Sequence, residues 1–331
     1  YLGGETIETI YWGGGTPSQL DKEDFETIFY YLHKNYSISS HPEITLEANP
    51  DDLTPDYIAM LRTLPFNRLS MGIQTFNESI LKVLQRRHTA RQAIEAFQNC
   101  RAAGFQNISI DLMYGLPGET LSTWQQDLDQ ALLLHPEHLS AYHLIYEEDT
   151  VLWKLREQHK VEEADEDLSV SLFSTLIDRL TSEGYDHYEI SNFSLPGLYS
   201  RHNSSYWTEK KYLGCGPSAH SYNGVSRQWN VASLDTYIKG ISAGTPVFEI
   251  EELDLYTRYN DFVITRIRTE WGMPLSKLRD EFGEKLYDYC LRMAAPHLKQ
   301  GTLELVNDIL KLTRKGIFIS DGIMSDMLWT D

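Results

Sequence analysis

The chain has 331 residues, 41% of them hydrophobic and 23% charged, enough for one large domain or a barrel with an appendage. Its 29 basic and 48 acidic side chains give a formal charge of −19, a surface that repels nucleic-acid phosphates and anionic lipid. No run approaches the roughly 20 apolar residues that cross a bilayer. Cys100, Cys215 and Cys290 form neither a disulfide framework nor a closely spaced metal set, and a cytoplasmic protein is expected.

The first half alternates short β-rich runs with helical patterns, the rhythm of a parallel α/β sheet or barrel. Ile7–Trp12 reads as a strand that runs into three glycines, and Asp21–His33 places Phe25, Ile28, Phe29 and Leu32 at the spacing of an amphipathic helix. Strands are predicted again near Ile44–Glu47, Arg68–Ile73, Ile108–Met113 and Ser140–Leu144, with helices near Thr54–Leu64, Arg91–Ala103 and Thr120–Leu133. A longer helix over roughly Glu163–Glu183 precedes a short strand at His187–Ile190. Around Ser191–Asn230 the rhythm breaks into a loop-rich stretch crowded with Tyr, Trp, His and Asn. Helices follow at Ser233–Ala243 and Tyr256–Arg268. The remainder, with helices at Pro274–Phe282 and Lys285–Lys299 and a hairpin over Leu303–Leu312, suggests a small module resembling a winged helix. Two domains are expected, residues 1–195 and 196–331. The acidity makes a nucleic-acid role for the second an unattractive reading.

Polar residues gather where the strands end, the place where α/β folds bind ligands. Tyr11-Trp12-Gly13-Gly14-Gly15-Thr16-Pro17 lets backbone groups approach a ligand, although tight turns use the same residues and the spacing is not that of a phosphate loop. Glu47, Gln74 and Asp111 belong to the next three strands, and each alone is as well explained as a satisfied structural group. Four successive strands with the same feature point to one polar rim.

Gly-Gly-Gly-Thr-Pro at 13–17, Ser-Met-Gly-Ile-Gln-Thr-Phe-Asn at 70–77 and Ile-Asp-Leu-Met-Tyr-Gly-Leu-Pro-Gly-Glu-Thr at 110–120 together resemble the HemN/HemW branch of radical S-adenosylmethionine (SAM) proteins. The resemblance runs from Ile7 through the 212–221 segment and less distinctly beyond. It implies an incomplete parallel (β/α) barrel of the TIM-like kind, its first strand absent here, and a small mixed C-terminal domain. It also implies that Gly14, Gly15 and Thr16 line the methionine end of SAM and that Glu47 takes its ammonium group. Arg86 would bind the carboxylate, with Arg87 as an adjacent rival. Gln74 and Asp111 would meet the ribose hydroxyls, and Met113 and Ile145 would pack near adenine.

The same family carries a Cys-x3-Cys-x2-Cys motif on a loop ahead of the glycine run, where three thiolates hold a [4Fe–4S] cluster with one iron open to SAM. The printed sequence has no such motif before Gly13, so no metal ligands are expected within it, and the resemblance implies a truncated upstream segment that supplies them. His202-Asn203-Ser204-Ser205-Tyr206-Trp207 matches the HNxxYW pattern of the haem-delivering members of the branch, which makes His202, Tyr206 and Trp207 candidate haem contacts. A buried corner would use the same residues. Leu213–Ser221 adds Cys215 and His220 as further candidate ligands, with packing at a glycine-rich turn the plainer reading for Cys215.

The expected function is a radical SAM haem chaperone that passes haem to an accepting protein. The first rival is an oxygen-independent coproporphyrinogen III dehydrogenase, which decarboxylates two propionates through a 5′-deoxyadenosyl radical; the second is a cluster-less binding protein.

Overall fold

The computed structural model describes residues 1–330; Asp331, the last residue of the expected second domain, lies outside the described residues. The chain divides into two compact units, one of Thr6–His202 and the other of Tyr1–Glu5 together with the described residues from Asn203 on.

The first unit is a seven-stranded sheet covered by helices. In chain order it contains β1 (Ile7–Trp12), α1 (Lys22–Asn35), β2 (Ile38–Ala48), α2 (Pro55–Leu61), β3 (Arg68–Gln74), α3 (Glu78–Val83) and α4 (Ala90–Ala102). It continues with β4 (Ile108–Tyr114), α5 (Leu121–Leu134), β5 (His138–His143), α6 (Val151–Glu157), α7 (Glu166–Ser182), β6 (Asp186–Glu189) and β7 (Asn192–Ser194). The order is β1-β2-β3-β4-β5-β7-β6. The first five strands run parallel, and β7 pairs antiparallel with both β5 and β6. This is the curled half-barrel that the repeated strand–helix rhythm predicts. The antiparallel turn-back at β7 was not legible, because three residues carry no periodicity.

Helix starts follow from short side chains. Asp21 caps α1 and Thr89 caps α4 in reciprocal capping boxes with Asp24 and Gln92, which satisfies amides that have no partner inside the helix. The sheet itself is two-faced. Leu69, Met71, Ile73, Ile108, Ile110 and Leu112 are wholly buried. At β1, Trp12 packs edge-on against Phe25 of α1 and Phe66. Alternate residues, among them Arg68, Ser70, Ser109, Asp111, His138 and Ser140, make the other face polar, as the period of two in a strand requires.

Leading into the second unit, the 191–230 stretch is loop-rich as expected, with short elements set between its loops. It holds α8 (Arg201–Trp207), which starts in the first unit, β8 (His220–Tyr222) and β9 (Ser226–Asn230). After α9 (Leu234–Ser242), β10 (Phe248–Glu252) completes an antiparallel sheet of order β10-β9-β8. Then come α10 (Leu255–Ile267), β11 (Met273–Pro274), α11 (Leu275–Gln300), β12 (Leu303–Val306), β13 (Ile309–Leu312), α12 (Arg314–Ile317) and α13 (Ser320–Met327). The two helices expected over 274–299 are present within α11, divided at Gly283, whose φ of 79° no helix accommodates. Phe262, Leu278, Leu286, Cys290 and Met327 form this unit's core, and the expected hairpin is β12–β13.

Candidate functional site

The polar rim forms at the C-terminal ends of β1 to β4. Strand register places Tyr11 beside Thr45, Glu47 beside Ser70, and Gly72 beside Asp111. Tyr11 donates its hydroxyl to Glu47 Oε1 at 2.6 Å, and the Gly14 amide donates to Glu47 Oε2 at 3.2 Å. Glu47 therefore fixes the glycine turn while keeping lone pairs for a further donor. Thr16 begins a short helical turn, and Ser18 in that turn donates to Asp52 Oδ2 at 2.6 Å.

Asp111 accepts from Ser70 at 3.2 Å and from Ser140. Burial, and then the neighbouring Glu47 carboxylate, raise its pKa to about 6 against the pull of Arg68. Gln74 ends β3 with φ at +71°, a strained conformation for a side chain with a Cβ, beside a register irregularity between Gly72 and itself.

The two adjacent arginines part company. Arg87 lies against Asp51 Oδ2 and Asp52 Oδ1, both at 3.0 Å. Arg86 reaches inward, donating through Nη2 to Asn49 Oδ1 at 2.6 Å and the Gly72 carbonyl at 3.0 Å, while its buried Nε has no partner. Asn49 is a rim residue that the sequence alone did not single out. Met113 packs with Ile80, Leu116, Leu144 and Tyr146 in an apolar cluster, whereas Ile145 is 74% exposed.

Behind Met113 the turn at 114–119 is locked. Glu119 accepts from the Gly115 amide at 2.6 Å and the Leu116 amide at 3.3 Å, and burial raises its pKa to about 7. Gly115 has φ of +72°, and a Cβ there would sit 2.6 Å from His143 Nε2, a ring already bonded to Ser169 and the Leu144 carbonyl. Gly115→Ala is therefore expected to lower stability by about 1–2 kcal/mol, read as an earlier urea transition.

His202 lies on the polar face with β1. Its ring stacks on Tyr11 at 4.6 Å and Nδ1 shares a 2.9 Å hydrogen bond with Thr9 Oγ1. Burial and then Arg68 lower its pKa to about 4, so the imidazole is neutral. Glu43 of β2 accepts from the amides of Arg201 and His202 at 3.0 and 2.8 Å, a carboxylate at the start of α8. Tyr206 and Trp207 belong to the second unit, where Tyr206 meets Tyr212 edge-on and Trp207 lies 4.1 Å from the Arg268 guanidinium.

Sequence reasoning also missed the floor of the polar face. Arg68 is 1% exposed with Nε and Nη2 unpartnered, and Ser109, His138 and Tyr188 form a hydrogen-bonded chain at 2.8 and 2.7 Å. Alternation of polar and apolar residues along β3, β4 and β5 was the signal that could have found them. Among the described residues no group of three His, Cys, Asp or Glu is placed to hold a metal ion; Cys100 and Cys290 are buried in different units and Cys215 is exposed.

The family models match in chain order: the Radical SAM superfamily over residues 2–131 and the HemN C-terminal domain over 253–319. A protein of Lactococcus lactis named heme chaperone HemW is 32% identical over 330 residues, covering 99% of this chain and 86% of its own. The chain belongs to the HemW family. A HemW of Bacillus subtilis is 30% identical, covering 97% of this chain and 86% of its own. A mouse relative named radical S-adenosyl methionine domain-containing protein 1, mitochondrial, is 28% identical over 98% of this chain and 76% of its own. The solved structure of coproporphyrinogen III oxidase (HemN) from Escherichia coli superposes with a TM-score of 0.83 at 23% identity, covering 97% of this chain and 78% of that one, so the HemW family and HemN share this fold. No helix among the described residues of this HemW-family chain is long and apolar enough to cross a membrane.

Proposed function

We propose that this chain is a haem chaperone that binds haem and delivers it to a haem-accepting protein, on a barrel that binds SAM. The observation that carries the reading is similarity over nearly all of this chain to proteins named heme chaperone HemW, together with the His-Asn-x-x-Tyr-Trp string on α8. The neutral state of His202 agrees with it, since iron takes the unprotonated imidazole. In this proposal Gly14, Gly15 and Thr16 line the methionine end of SAM, Glu47 accepts its ammonium group and Arg86 binds its carboxylate. Gln74 and Asp111 serve the ribose, and Met113 supplies an apolar wall for adenine. A [4Fe–4S] cluster, when bound, would supply an iron open to the amino and carboxylate groups of SAM.

The test uses full-length protein reconstituted anaerobically with iron and sulfide. Titration with haemin is expected to give a Soret band of bound haem, and mixing with an apo-haem protein is expected to move that band to the acceptor. Protein that neither binds nor transfers haem, yet turns over coproporphyrinogen III with SAM, would instead be the decarboxylating enzyme.

A further inference from the structure

The floor of the polar face in the first unit holds a charge whose hydrogen-bonding edge is unmet. Arg68 opens β3, at the opposite end of that strand from Gln74, and is 1% exposed. Its Nε and Nη2 are both buried, and neither has a hydrogen-bond partner among the described residues. Arg86 and Arg266 also leave a buried Nε unpartnered, but each commits its Nη2 to an oxygen, of Asn49 and of Glu209 respectively. Arg68 has no such anchor. The N–H bonds of Nε and Nη2 run side by side along one edge of the guanidinium plane, the edge that matches the two oxygens of a carboxylate. An arginine also stays charged when buried, so it cannot relieve the cost by losing its proton as a lysine or histidine can. A guanidinium placed there calls for an anion.

The surroundings favour that reading. Thr45 of β2 is the register partner of Arg68, is wholly buried, and leaves its Oγ1 without a hydrogen-bond partner among the described residues. The charge of Arg68 acts on Tyr11, Asp111, His138, Tyr188 and His202, which come from β1, β4, β5, β6 and α8, so the guanidinium lies among the elements that enclose the polar face. The carboxylates of this face are engaged elsewhere. Glu47 accepts from Tyr11 and the Gly14 amide, Asp111 from Ser70 and Ser140, Glu43 from the amides of Arg201 and His202, and Glu189 from the Ser191 amide. Both His138 nitrogens are bonded, to Ser109 and to Tyr188.

We propose that Arg68 and Thr45 form a buried subsite for a carboxylate, which Nε and Nη2 bind side-on while the Thr45 hydroxyl donates a further hydrogen bond. The carboxylate arrives either as a free small acid or as the acid end of a longer ligand that lies along the polar face; the recognition chemistry is the same. The subsite stands apart from the rim residues assigned to SAM and does not depend on that assignment.

The experiment follows the thermal midpoint of the full-length protein, with its cluster assembled, as sodium formate replaces sodium chloride at constant ionic strength. The wild-type midpoint is expected to rise and saturate, as it does when a ligand binds the folded state alone. Arg68→Met, of similar length but without charge, should lose the response. Arg68→Lys keeps the charge but not the two-pronged edge and should need about tenfold more formate to half-saturate. Thr45→Val removes one donor and should need roughly threefold more. These two variants decide the matter should Arg68→Met fold poorly. Acetate, butyrate and hexanoate then separate the sources. A half-saturation point that holds or falls with chain length identifies the acid end of a longer ligand, and a response confined to formate and acetate identifies a free small acid. A wild-type midpoint that is the same in formate and chloride overturns the subsite. So does a formate response that Arg68→Lys and Thr45→Val leave undiminished.

Discussion

Arg86→Ala is expected to weaken SAM binding by on the order of 2–5 kcal/mol, the loss that follows when one member of a buried, hydrogen-bonded charge pair is truncated. Arg86 is anchored by Asn49 and the Gly72 carbonyl, the latter on the strand that ends in Gln74, and its buried Nε still lacks an acceptor. A guanidinium held by two oxygen acceptors and still short of one at Nε has hydrogen-bonding capacity left for a carboxylate. Arg87 is already committed to Asp51 and Asp52 and is half exposed, so Arg87→Ala should cost less than about 1 kcal/mol of affinity, the usual worth of an exposed ion pair. Calorimetry on full-length protein with its cluster assembled separates the two. Equal and small losses from both variants would mean that the carboxylate binds elsewhere.

Two buried groups on the polar face should oppose each other in the response of the barrel to acid. His202 titrates near its ordinary 6.5 when unfolded and at about 4 when folded. As pH falls from 6.5 towards 4 the unfolded chain takes up a proton that the folded barrel refuses, and stability drops by up to roughly 3 kcal/mol. Asp111 does the reverse. Its ordinary value is 3.8 and its folded value is about 6, so between pH 6 and 4 the folded state takes up the proton first and gains up to roughly 3 kcal/mol. Wild type should therefore show a muted net effect from this pair. Measured as thermal midpoints relative to wild type, His202→Gln should gain on acidification from pH 7 to 4.5 and Asp111→Asn should lose over the same range. Curves that stay parallel to wild type for both variants would show that neither group is desolvated as described.

The strands that carry the rim were legible because their apolar residues alternate and their ends carry glycine or a polar side chain. The Ile7–Trp12 strand was read with the bounds that the structure has. What escaped were features decided at long range. Arg201-His202-Asn203-Ser204-Ser205 is poor in strong helix formers, and it falls in a stretch that reads as loop-rich. It becomes helical where the Glu43 carboxylate, from far earlier in the chain, accepts the amides of Arg201 and His202. The choice between Arg86 and Arg87 likewise rests on Asn49, Asp51 and Asp52, and no spacing rule reveals which arginine those residues occupy. Arg68 and His138 stand at the starts of β3 and β5, away from the strand ends that carry the rim, and only the polar alternation along the strands marks them.

Gln74 has a consequence for kinetics. Its left-handed backbone is set when the barrel folds, next to a carbonyl that Arg86 holds in place. In the proposed role at the ribose, the conformational cost of the backbone that carries this carboxamide is met in folding and not on binding. Encounter should then resemble docking into a rigid seat more than closure around a guest, with association limited by diffusion and orientation. Glycine at this position would relax the backbone and remove the carboxamide together, making the strand end more comfortable and the seat slower to fill.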